Sequence, residues 1–277
     1  VWDALGQFAN VGGPWEQQTE AAEQAFHHAR LAGREEAAPR SGLSLVFGPR
    51  PADAALAALP DNPPPWYLLV LAVLLAMLGR FDEAWEVGQP AAKRYSEMTG
   101  ELGPGELVLA DVARYAGDHA AAARLLRRGC ERLEAAGNIA ELSTYAPILG
   151  RELCALGRHE EAEPLARRGR ELGDEHDVMT QVLWRQVQAL VHASRAEHDE
   201  ADRLARDAVA VAERTDGLNL QGDALCDLAE VLAAAGRIDE AAAALEQALE
   251  RYERKKNLAT AAQVRPKLEA LREEARA

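Results

Sequence analysis

The chain has few cysteines, few aromatic residues and fewer positive than negative charges. Of its 277 residues, 3 are cysteine and 5% are aromatic, and 31 Lys and Arg face 45 Asp and Glu, which gives a net charge of −14 at pH 7. An odd number of widely spaced cysteines argues against a disulfide framework and against a zinc site; they are Cys130, Cys154 and Cys226. The acidic balance argues against direct binding to nucleic acid or to an anionic membrane.

No apolar run is long enough to cross a bilayer. The longest run, residues 66–78, instead predicts a buried helix, and no charged-then-apolar leader opens the chain. From these absences we expect a cytoplasmic protein. Because the chain begins at Val1 without Met, we also expect it to be a piece of a longer protein.

Motifs for catalysis, cofactor binding and metal binding are also missing. Residues 103–106 contain two glycines but lack the Lys and the Ser or Thr of a phosphate loop. The pair His27-His28 lacks the spacing that places two zinc ligands on one helix face. Acidic pairs such as Glu160-Glu161 are typical of helix starts, where the helix dipole favours them. The sequence therefore predicts a protein that is not an enzyme and that holds no cofactor and no metal.

What the sequence does contain is a hexapeptide that returns every 38 to 40 residues. Its clearest form is Gly-Arg, a bulky residue, an acidic pair and Ala. The copies lie at residues 79–84, 117–122, 157–162, 196–201 and 236–241. A fixed period near forty indicates a repeat array.

Each part of the hexapeptide suits a turn between two antiparallel helices. Gly tolerates the left-handed conformation that ends a helix, and the acidic pair falls in the first turn of the next helix, where negative charge is favoured. The closing Ala lies twelve residues after a small residue of the preceding helix, so two helices can cross closely. These small pairs are Ala72 and Ala84, Ala110 and Ala122, Gly150 and Ala162, Ala189 and Ala201, and Ala229 and Ala241.

The regular part of the array extends over residues 66–254. The predicted helix pairs are 66–78 with 81–98, 104–116 with 119–136, 139–156 with 159–173, 178–195 with 198–214, and 218–235 with 238–254. A last helix over residues 257–276 has a charged end that suits a cap on the terminal repeat. We expect one solenoid domain over residues 1–277.

Residues 1–65 are interpreted as irregular N-terminal repeats. A helix is predicted from Trp15 to Leu31, a second from Arg34 to Phe47 and a short third from Ala52 to Leu59. The proline cluster at residues 60–65 stops any helix and predicts a bend or a mobile loop.

The order of large and small residues inside each pair resembles the tetratricopeptide repeat. The residues that match are Leu225-x2-Leu228-Ala229-x2-Leu232 with Ala241-x3-Leu245, and Ala146-x2-Leu149-Gly150-x2-Leu153. The resemblance implies an all-α fold, a right-handed superhelix (an α-solenoid) of about seven antiparallel helix pairs with a C-terminal capping helix. It also implies a surface that binds another protein.

Four shorter stretches resemble the carboxyl-terminal repeat region of large bacterial signalling proteins, in which a cyclase-like or DNA-binding domain and an ATPase module precede the repeats. The stretches are residues 178–185, 208–216, 223–232 and 252–255. This resemblance implies a regulatory or sensing arm of a larger signalling ATPase or transcriptional regulator. None of the upstream catalytic motifs is present in this chain.

Two polar stripes on first helices are candidate contacts for a peptide or ligand in the concave groove. The first stripe consists of Gln181, Arg185, Gln188 and His192, and the second of Asp223, Asp227 and Glu230. A basic stripe beside an acidic one would hold a peptide that carries both charges. Each stripe also has a structural interpretation: the first as the solvated face of a rotated helix, and the second as a salt-bridge network between repeats.

The helix predicted at residues 66–78 is apolar on all sides, which leaves two interpretations. Either the proline-rich segment before it folds over one face, or that face is a docking patch. In the second case the exposed residues would be Trp66, Tyr67, Leu69, Val73 and Met77.

Together these features predict a non-catalytic scaffold that binds a protein or peptide partner, or another domain of its own parent chain. The first alternative is a small-molecule sensor in which Arg185 contacts an anion. The second is a homo-oligomerisation module that uses the face of residues 66–78.

Overall fold

A computed structural model of the chain describes residues 14–31, 42–59, 63–99 and 104–276. All regular secondary structure in these ranges is helical, and they contain no strand. The helices are α1 (Trp15–Leu31), α2 (Leu43–Phe47), α3 (Ala52–Ala57), α4 (Pro65–Met77), α5 (Phe81–Thr99), α6 (Pro104–Tyr115), α7 (His119–Ala135), α8 (Ile139–Ala155), α9 (His159–Leu172), α10 (Val178–Ser194), α11 (His198–Ala212), α12 (Leu218–Ala234), α13 (Ile238–Lys255) and α14 (Leu258–Glu274).

Helices α4 to α13 form five hairpins, and α14 follows the last of them. Their boundaries confirm the predicted helix pairs to within two residues. Helix α4, which corresponds to the longest apolar run, is largely buried as predicted. Within the four described ranges, no helix combines the length and the apolar character that crossing a membrane requires.

The glycines of the repeated hexapeptide end the first helix of a hairpin. Gly79, Gly117, Gly157 and Gly236 have φ angles between +73° and +79°, in the left-handed region that glycine adopts without strain. Ala196, which replaces glycine in the fourth copy, also has a positive φ of 59°. The hexapeptide therefore forms the turn of the hairpin, which confirms the prediction.

The arginine and the second acidic residue of the hexapeptide bind each other at the surface. Nε of Arg80 donates to Oε1 of Glu83 at 2.7 Å, and the same pairing joins Arg158 to Glu161 and Arg237 to Glu240. The helix dipole alone had accounted for these acidic residues, and the pairing with arginine is an additional role that was not predicted. Because the pairs are exposed, each contributes little to stability.

The small residues that lie twelve apart are buried where the two helices of a hairpin cross. Ala229 and Ala241 belong to the same core cluster. At the equivalent crossing of α8 and α9, a Cβ placed on Gly150 would lie 3.5 Å from the carbonyl oxygen of Ala162. The close approach that the small residues predicted is therefore present.

The first helices of the hairpins form an inner layer and the second helices an outer layer. Helix α4 packs on α6, and α10 packs on both α8 and α12, whereas the second helices pack on the first helices before and after them. Helices nearer the axis of a coiled array lie closest to their equivalents in the next repeat. The first helices therefore line the inner side of the solenoid.

The last helix of the array contacts the first helix of the inner layer. Helix α14 packs on α4, and Nε2 of Gln263 in α14 donates to the carbonyl oxygen of Tyr115, at the end of α6, at 2.8 Å. The short helix α2 contacts both α4 and α12. It thereby connects the beginning of the regular array with its end.

The N-terminal quarter departs most from the prediction. Of the helix expected from Arg34 to Phe47, the structure shows Leu43–Phe47 as α2, and residues 32–41 lie outside the described residues. Helix α3 ends at Ala57, two residues earlier than expected. Five hairpins are regular, and where two further pairs were expected in residues 1–65 the described residues contain α1, α2 and α3.

Candidate functional site

The first polar stripe lies on α10 and faces α9 and α11. Its four members, Gln181, Arg185, Gln188 and His192, are each partly exposed. At its beginning, Nε2 of Gln181 donates to the carbonyl oxygen of Asp174 at 3.0 Å. At its end, Nδ1 of His192 pairs with the carboxylate of Glu197, next to the start of α11.

Arg185 is held by its own helix and by an aromatic ring. Its Nη1 donates to the carbonyl oxygen and to Oε1 of Gln181, at 2.6 and 2.8 Å. Its guanidinium carbon lies 4.2 Å from the centre of the Trp184 ring, and that of Arg170, from α9, lies 5.3 Å from the same ring. Within the described residues, neither guanidinium forms an ion pair with a carboxylate.

Positive charges from two neighbouring helices surround Arg185, and Asp207 is the negative charge that acts on it. Burial lowers the pKa of the Arg185 guanidinium, and the positive charges of Arg170 and Arg203 lower it further, against the opposing effect of Asp207. We call Arg170, Trp184 and Arg185 the arginine–tryptophan site. An incoming carboxylate would relieve the repulsion between its two guanidinium groups and could accept from both of them.

The second stripe, on α12, belongs to a different place on the inner layer. Nε and Nη2 of Arg151, from α8, donate to Oδ2 and Oδ1 of Asp227 at 2.9 and 3.1 Å, and Nη1 donates to Asp223 at 3.2 Å. Arg114, from α6, pairs with Asp223 at 3.6 Å and with Asp111 at 3.0 Å. These five residues form the inner charge cluster, which joins three first helices.

The side chains of the inner charge cluster are mostly buried, but each retains a small accessible fraction. The accessible fractions of its side chains are 10% for Asp227, 16% for Arg151 and Asp223, and 20% for Arg114. Burial raises the pKa of the Asp227 carboxyl, although Arg151 opposes the shift. Burial alone would lower the pKa of the Arg151 guanidinium, but Asp227 and Asp223 outweigh it and raise that pKa.

Helices α10 and α12 pack on each other, but within the described residues no hydrogen bond or ion pair joins the two predicted stripes. The charged groups that act on Arg185 lie on α9 and α11, whereas Asp223 and Asp227 bind Arg151 and Arg114. Glu230 is exposed and continues the α12 stripe. Asp223 and Asp227 thus belong to a salt-bridge network between repeats, as the structural interpretation of the second stripe expected. Its basic residues, Arg114 and Arg151, were not predicted. One feature of the sequence could have indicated them: each of the mostly apolar helices α6 and α8 contains a single arginine.

The apolar face of α4 is covered. Four of its five candidate docking residues are buried and Trp66 is partly buried; the four are Tyr67, Leu69, Val73 and Met77. Apolar residues of α2 and α3 lie in the same core cluster, namely Leu45, Val46, Ala52 and Ala55. Of the two interpretations, the covered face is the one observed, with α2 and α3 as part of the cover; residues 60–62 of the proline cluster lie outside the described residues. The face is therefore not exposed for a second copy of the chain.

Lys255, the last residue of α13, hydrogen-bonds to the main chain of α2 and of the residues that follow it. Its side chain is 0% exposed. Its Nζ donates to the carbonyl oxygens of Leu45, Gly48 and Arg50 at 2.8, 2.7 and 2.7 Å. Burial lowers the pKa of Lys255 from 10.5 to about 7. Each of the three N–H groups of the Lys255 ammonium can thus donate to one backbone carbonyl. No carboxylate of the described residues accepts a hydrogen bond from it.

Buried amides continue this contact along the inner layer. Nδ2 of Asn219, in α12, lies 3.5 Å from the carbonyl oxygen of Val46 and 3.5 Å from the hydroxyl of Tyr115. Nδ2 of Asn257 donates to Oδ1 of Asn219 at 3.0 Å. We call Lys255, Asn219 and Asn257 the carbonyl clamp, because two of them point donors at the main chain of residues 45–50 and the third orients Asn219.

Metal ligands do not cluster in the described part of the chain, and the cysteine thiols are not activated. No cluster of three or more His, Cys, Asp or Glu side chains there could hold a metal ion. Burial raises the pKa of Cys130 to about 11, and those of Cys154 and Cys226 to about 12. These thiols are therefore protonated and weakly nucleophilic at neutral pH.

Comparisons with known proteins agree with this architecture. Residues 180–254, which cover α11 and α12 and nearly all of α10 and α13, match the family model of the tetratricopeptide repeat. A comparison with curated proteins found no significant match.

Several solved structures have a similar fold at low sequence identity. A chain of the APC/C hetero-tetramer Cut9–Hcn1 is 15% identical, with a TM-score of 0.62 over 95% of this chain and 48% of that chain. A thermophilic TPR protein from Thermus thermophilus is 20% identical, with a TM-score of 0.52 over 75% of this chain and 98% of that chain. The described helices therefore form an α-solenoid of the tetratricopeptide type. At these identities the likeness concerns the fold, and the ligand depends on the residues of each site.

Proposed function

We propose that this chain is a non-catalytic protein-interaction scaffold and that its arginine–tryptophan site binds an acidic segment of a partner protein. The fold supports the first part, because tetratricopeptide solenoids generally serve as protein-binding modules. The observation that carries the second part is the placement of two guanidinium groups, of Arg170 and Arg185, over one indole with no carboxylate bound to either.

Charge complementarity favours an acidic partner segment. In a chain of net charge −14, a positive surface whose guanidinium groups have no paired carboxylate is a place where an acidic peptide meets little repulsion. Gln181 fixes Arg185 in position, so little side-chain entropy is lost on binding. Gln188 and His192 continue along the same face of α10 and offer further polar contacts to an extended chain.

A peptide library displayed on phage and selected on the purified 277-residue chain tests this proposal. We expect enrichment of Asp- and Glu-rich peptides whose affinity falls at least tenfold in Arg185→Ala. The matched control is Arg158→Ala, since Arg158 is exposed and paired with Glu161, and this variant should bind the peptides as the wild type does. Enriched peptides that bind both variants equally would remove the assignment to this site.

We also propose that the scaffold is a cytoplasmic regulatory arm of a larger bacterial signalling ATPase or transcriptional regulator. The support is the resemblance of residues 178–185, 208–216, 223–232 and 252–255 to the repeat regions of such proteins. The test is the surrounding reading frame. It should encode an ATPase module and a cyclase-like or DNA-binding domain upstream, and a frame without an ATPase module would refute the role.

The same site supports a second candidate, a sensor of a small anionic metabolite. Arg185 would be the anion contact, and the indole of Trp184, which is almost fully buried, would form the wall of the site. A thermal-shift panel of carboxylate and phosphate metabolites distinguishes the two candidates. A sensor predicts stabilisation by one compound that is lost in Arg185→Ala, whereas a scaffold predicts that no metabolite in the panel stabilises the chain.

A further inference from the structure

We propose that residues 43–50 are an intramolecular ligand of the solenoid, and that a partner peptide of the same chemistry binds in their place. That peptide is a short apolar helix followed by a turn that presents three convergent backbone carbonyls to the carbonyl clamp. The inference deepens the proposed scaffold function and rests on it. It adds a second peptide site, on the inner layer, with a ligand that need not be acidic.

The carbonyl clamp recognises the main chain of the segment, while α1 binds two of its side chains, Ser44 through Thr19 at 2.9 Å and Arg50 through Glu16 at 3.0 Å. Lys255 is fully buried, and its three Nζ hydrogen bonds all end on carbonyl oxygens of the segment. The amide of Asn219 approaches a fourth carbonyl, that of Val46. Every peptide has backbone carbonyls, so the clamp can orient the main chain of a bound peptide but cannot select its sequence. Contacts to side chains must provide the sequence selectivity.

The apolar half supplies that selectivity. Leu45 and Val46 are buried in one cluster with Leu69, Val70 and Val73 of α4. Two glycines frame the segment where side chains would collide. A Cβ on Gly42 would lie 2.9 Å from a methyl of Val70, and one on Gly48 would lie 2.6 Å from the carbonyl oxygen of Ser44 in the same segment and 3.1 Å from the Cβ of Trp15. A fitting peptide therefore has an apolar pair followed by glycine two residues later.

Several features make the segment a displaceable ligand rather than part of the permanent core. Helix α2 has five residues, too few to be helical without its binding surface. The ammonium that holds it has no hydrogen-bonded carboxylate, so its burial offsets much of the gain from its hydrogen bonds. The charged groups that act on it are Glu16, Arg50 and Asp216, and only Glu16 and Asp216 favour the charged form. The hydrogen bonds of the clamp are thus specific in geometry and modest in strength, and a competing peptide must replace the burial of Leu45 and Val46 as well.

Release of the segment would uncover a surface suited to binding. The apolar face of α4, now beneath α2 and α3, would become accessible together with Lys255 and Asn219. As long as the segment is bound, a peptide in solution competes with a tethered ligand at an effective concentration on the order of millimolar. The wild-type chain should therefore bind such a peptide weakly.

The test uses the full chain and a fluorescein-labelled peptide of residues 42–53 as the probe, with binding measured by fluorescence anisotropy. The release variant is Leu45→Ala with Val46→Ala, which weakens the internal ligand and leaves the clamp intact. We expect it to bind the probe at least tenfold more tightly than the wild type, and we expect Lys255→Met in the same background to reverse the gain. A folded release variant that binds no better than the wild type would overturn the proposal.

A second measurement does not depend on the folding of any variant. Hydrogen exchange of the wild-type chain is followed with and without the unlabelled peptide in millimolar excess. We expect amides of residues 43–50 to exchange at least tenfold faster with the peptide, while amides of α7 and α9 are unchanged. Identical exchange at residues 43–50 would show that the segment is not displaced. Arg185→Ala should leave both results unchanged, so failure here is distinguishable from failure at the arginine–tryptophan site.

Discussion

Lys255 and Leu45 are 210 positions apart in the chain, yet Nζ of the lysine donates to the carbonyl oxygen of the leucine at 2.8 Å. The contact links the end of the fifth hairpin to a helix that precedes the first. It makes the inner layer a closed arrangement, in which side chains from distant repeats bind one another.

Lys255 should make the stability of the chain depend on pH above neutrality. Burial lowers its pKa to about 7 in the folded chain, from 10.5. Between these values the unfolded chain binds more protons than the folded chain, so the free energy of unfolding rises with pH, by up to about 1.4 kcal/mol per pH unit. Urea unfolding at pH 7 to 9 should show this slope in the wild type and a smaller slope in Lys255→Met.

The upper limit of that pH window is set by the cysteines. Their raised pKa values act in the opposite direction as unfolded thiols ionise, and about half of those thiols are ionised near pH 9. Equal slopes in the two proteins below that limit would show that the three carbonyls keep Lys255 protonated despite its burial.

Removal of Arg151 should destabilise the chain more than removal of an exposed arginine. Arg151→Met leaves the carboxylate of Asp227 without its hydrogen-bonded arginine, whereas Asp223 keeps Tyr252 and Arg114; an uncompensated charge at such a place costs about 3 kcal/mol. Arg151→Met combined with Asp227→Leu should recover part of that loss. The control cycle uses Arg158 and Glu161, whose exposed pair should couple by less than about 1 kcal/mol. Equal coupling energies from the two cycles would contradict the structure of the inner charge cluster.

The glycines of α8 and α9 should differ in their tolerance of alanine. A Cβ on Gly169 would lie 2.2 Å from Cγ of Pro147 and 2.9 Å from the carbonyl oxygen of Ser143, so Gly169→Ala should destabilise by about 1–3 kcal/mol. The matched control is Gly150→Ala, whose nearest contacts are methyl groups of Val187 at 3.1 and 3.2 Å. A small shift of Val187, together with the better helix propensity of alanine, should make that change nearly neutral. Thermal unfolding measures both variants, and an equal loss in each would be the contrary result.

The fourth turn should be improved by restoring the repeated glycine. Ala196 has a φ of 59°, and an alanine in this region is strained by about 1–2 kcal/mol. Ala196→Gly should therefore stabilise the chain, by about 1 kcal/mol or less after the entropy that glycine loses on folding. Gly157→Ala is the reverse change at an equivalent turn with no nearby atoms, and it should destabilise to a similar extent. If both changes left the unfolding midpoint in place, strain at these turns would be negligible.

Local chemistry made the hairpins predictable. A glycine with positive φ, an acidic pair and a small residue at the crossing all act within about twenty residues, so Gly236 and Ala241 fix the turn and the crossing wherever the rest of the chain lies. The half-exposed face of Gln181 and Arg185 was predictable for the same reason, because its spacing is a property of one helix.

The partners of the inner layer could not be predicted in this way. Whether Arg151 reaches Asp227, 76 positions away, depends on the small rotation from each repeat to the next, which accumulates over the array. The sequence pattern fixes neither that rotation nor its sum. The same limit applies to Lys255, whose position at the end of a helix gave no sign that three carbonyls would surround it.

The packing of α14 on α4 constrains how this protein can change in evolution. Open repeat arrays gain and lose units by duplication and deletion, because each unit needs only its neighbours. Here an additional hairpin would separate Gln263 from Tyr115 and carry Lys255 away from the segment that it holds. Homologues that retain these contacts should therefore keep the same number of hairpins between them, even where their sequences have diverged.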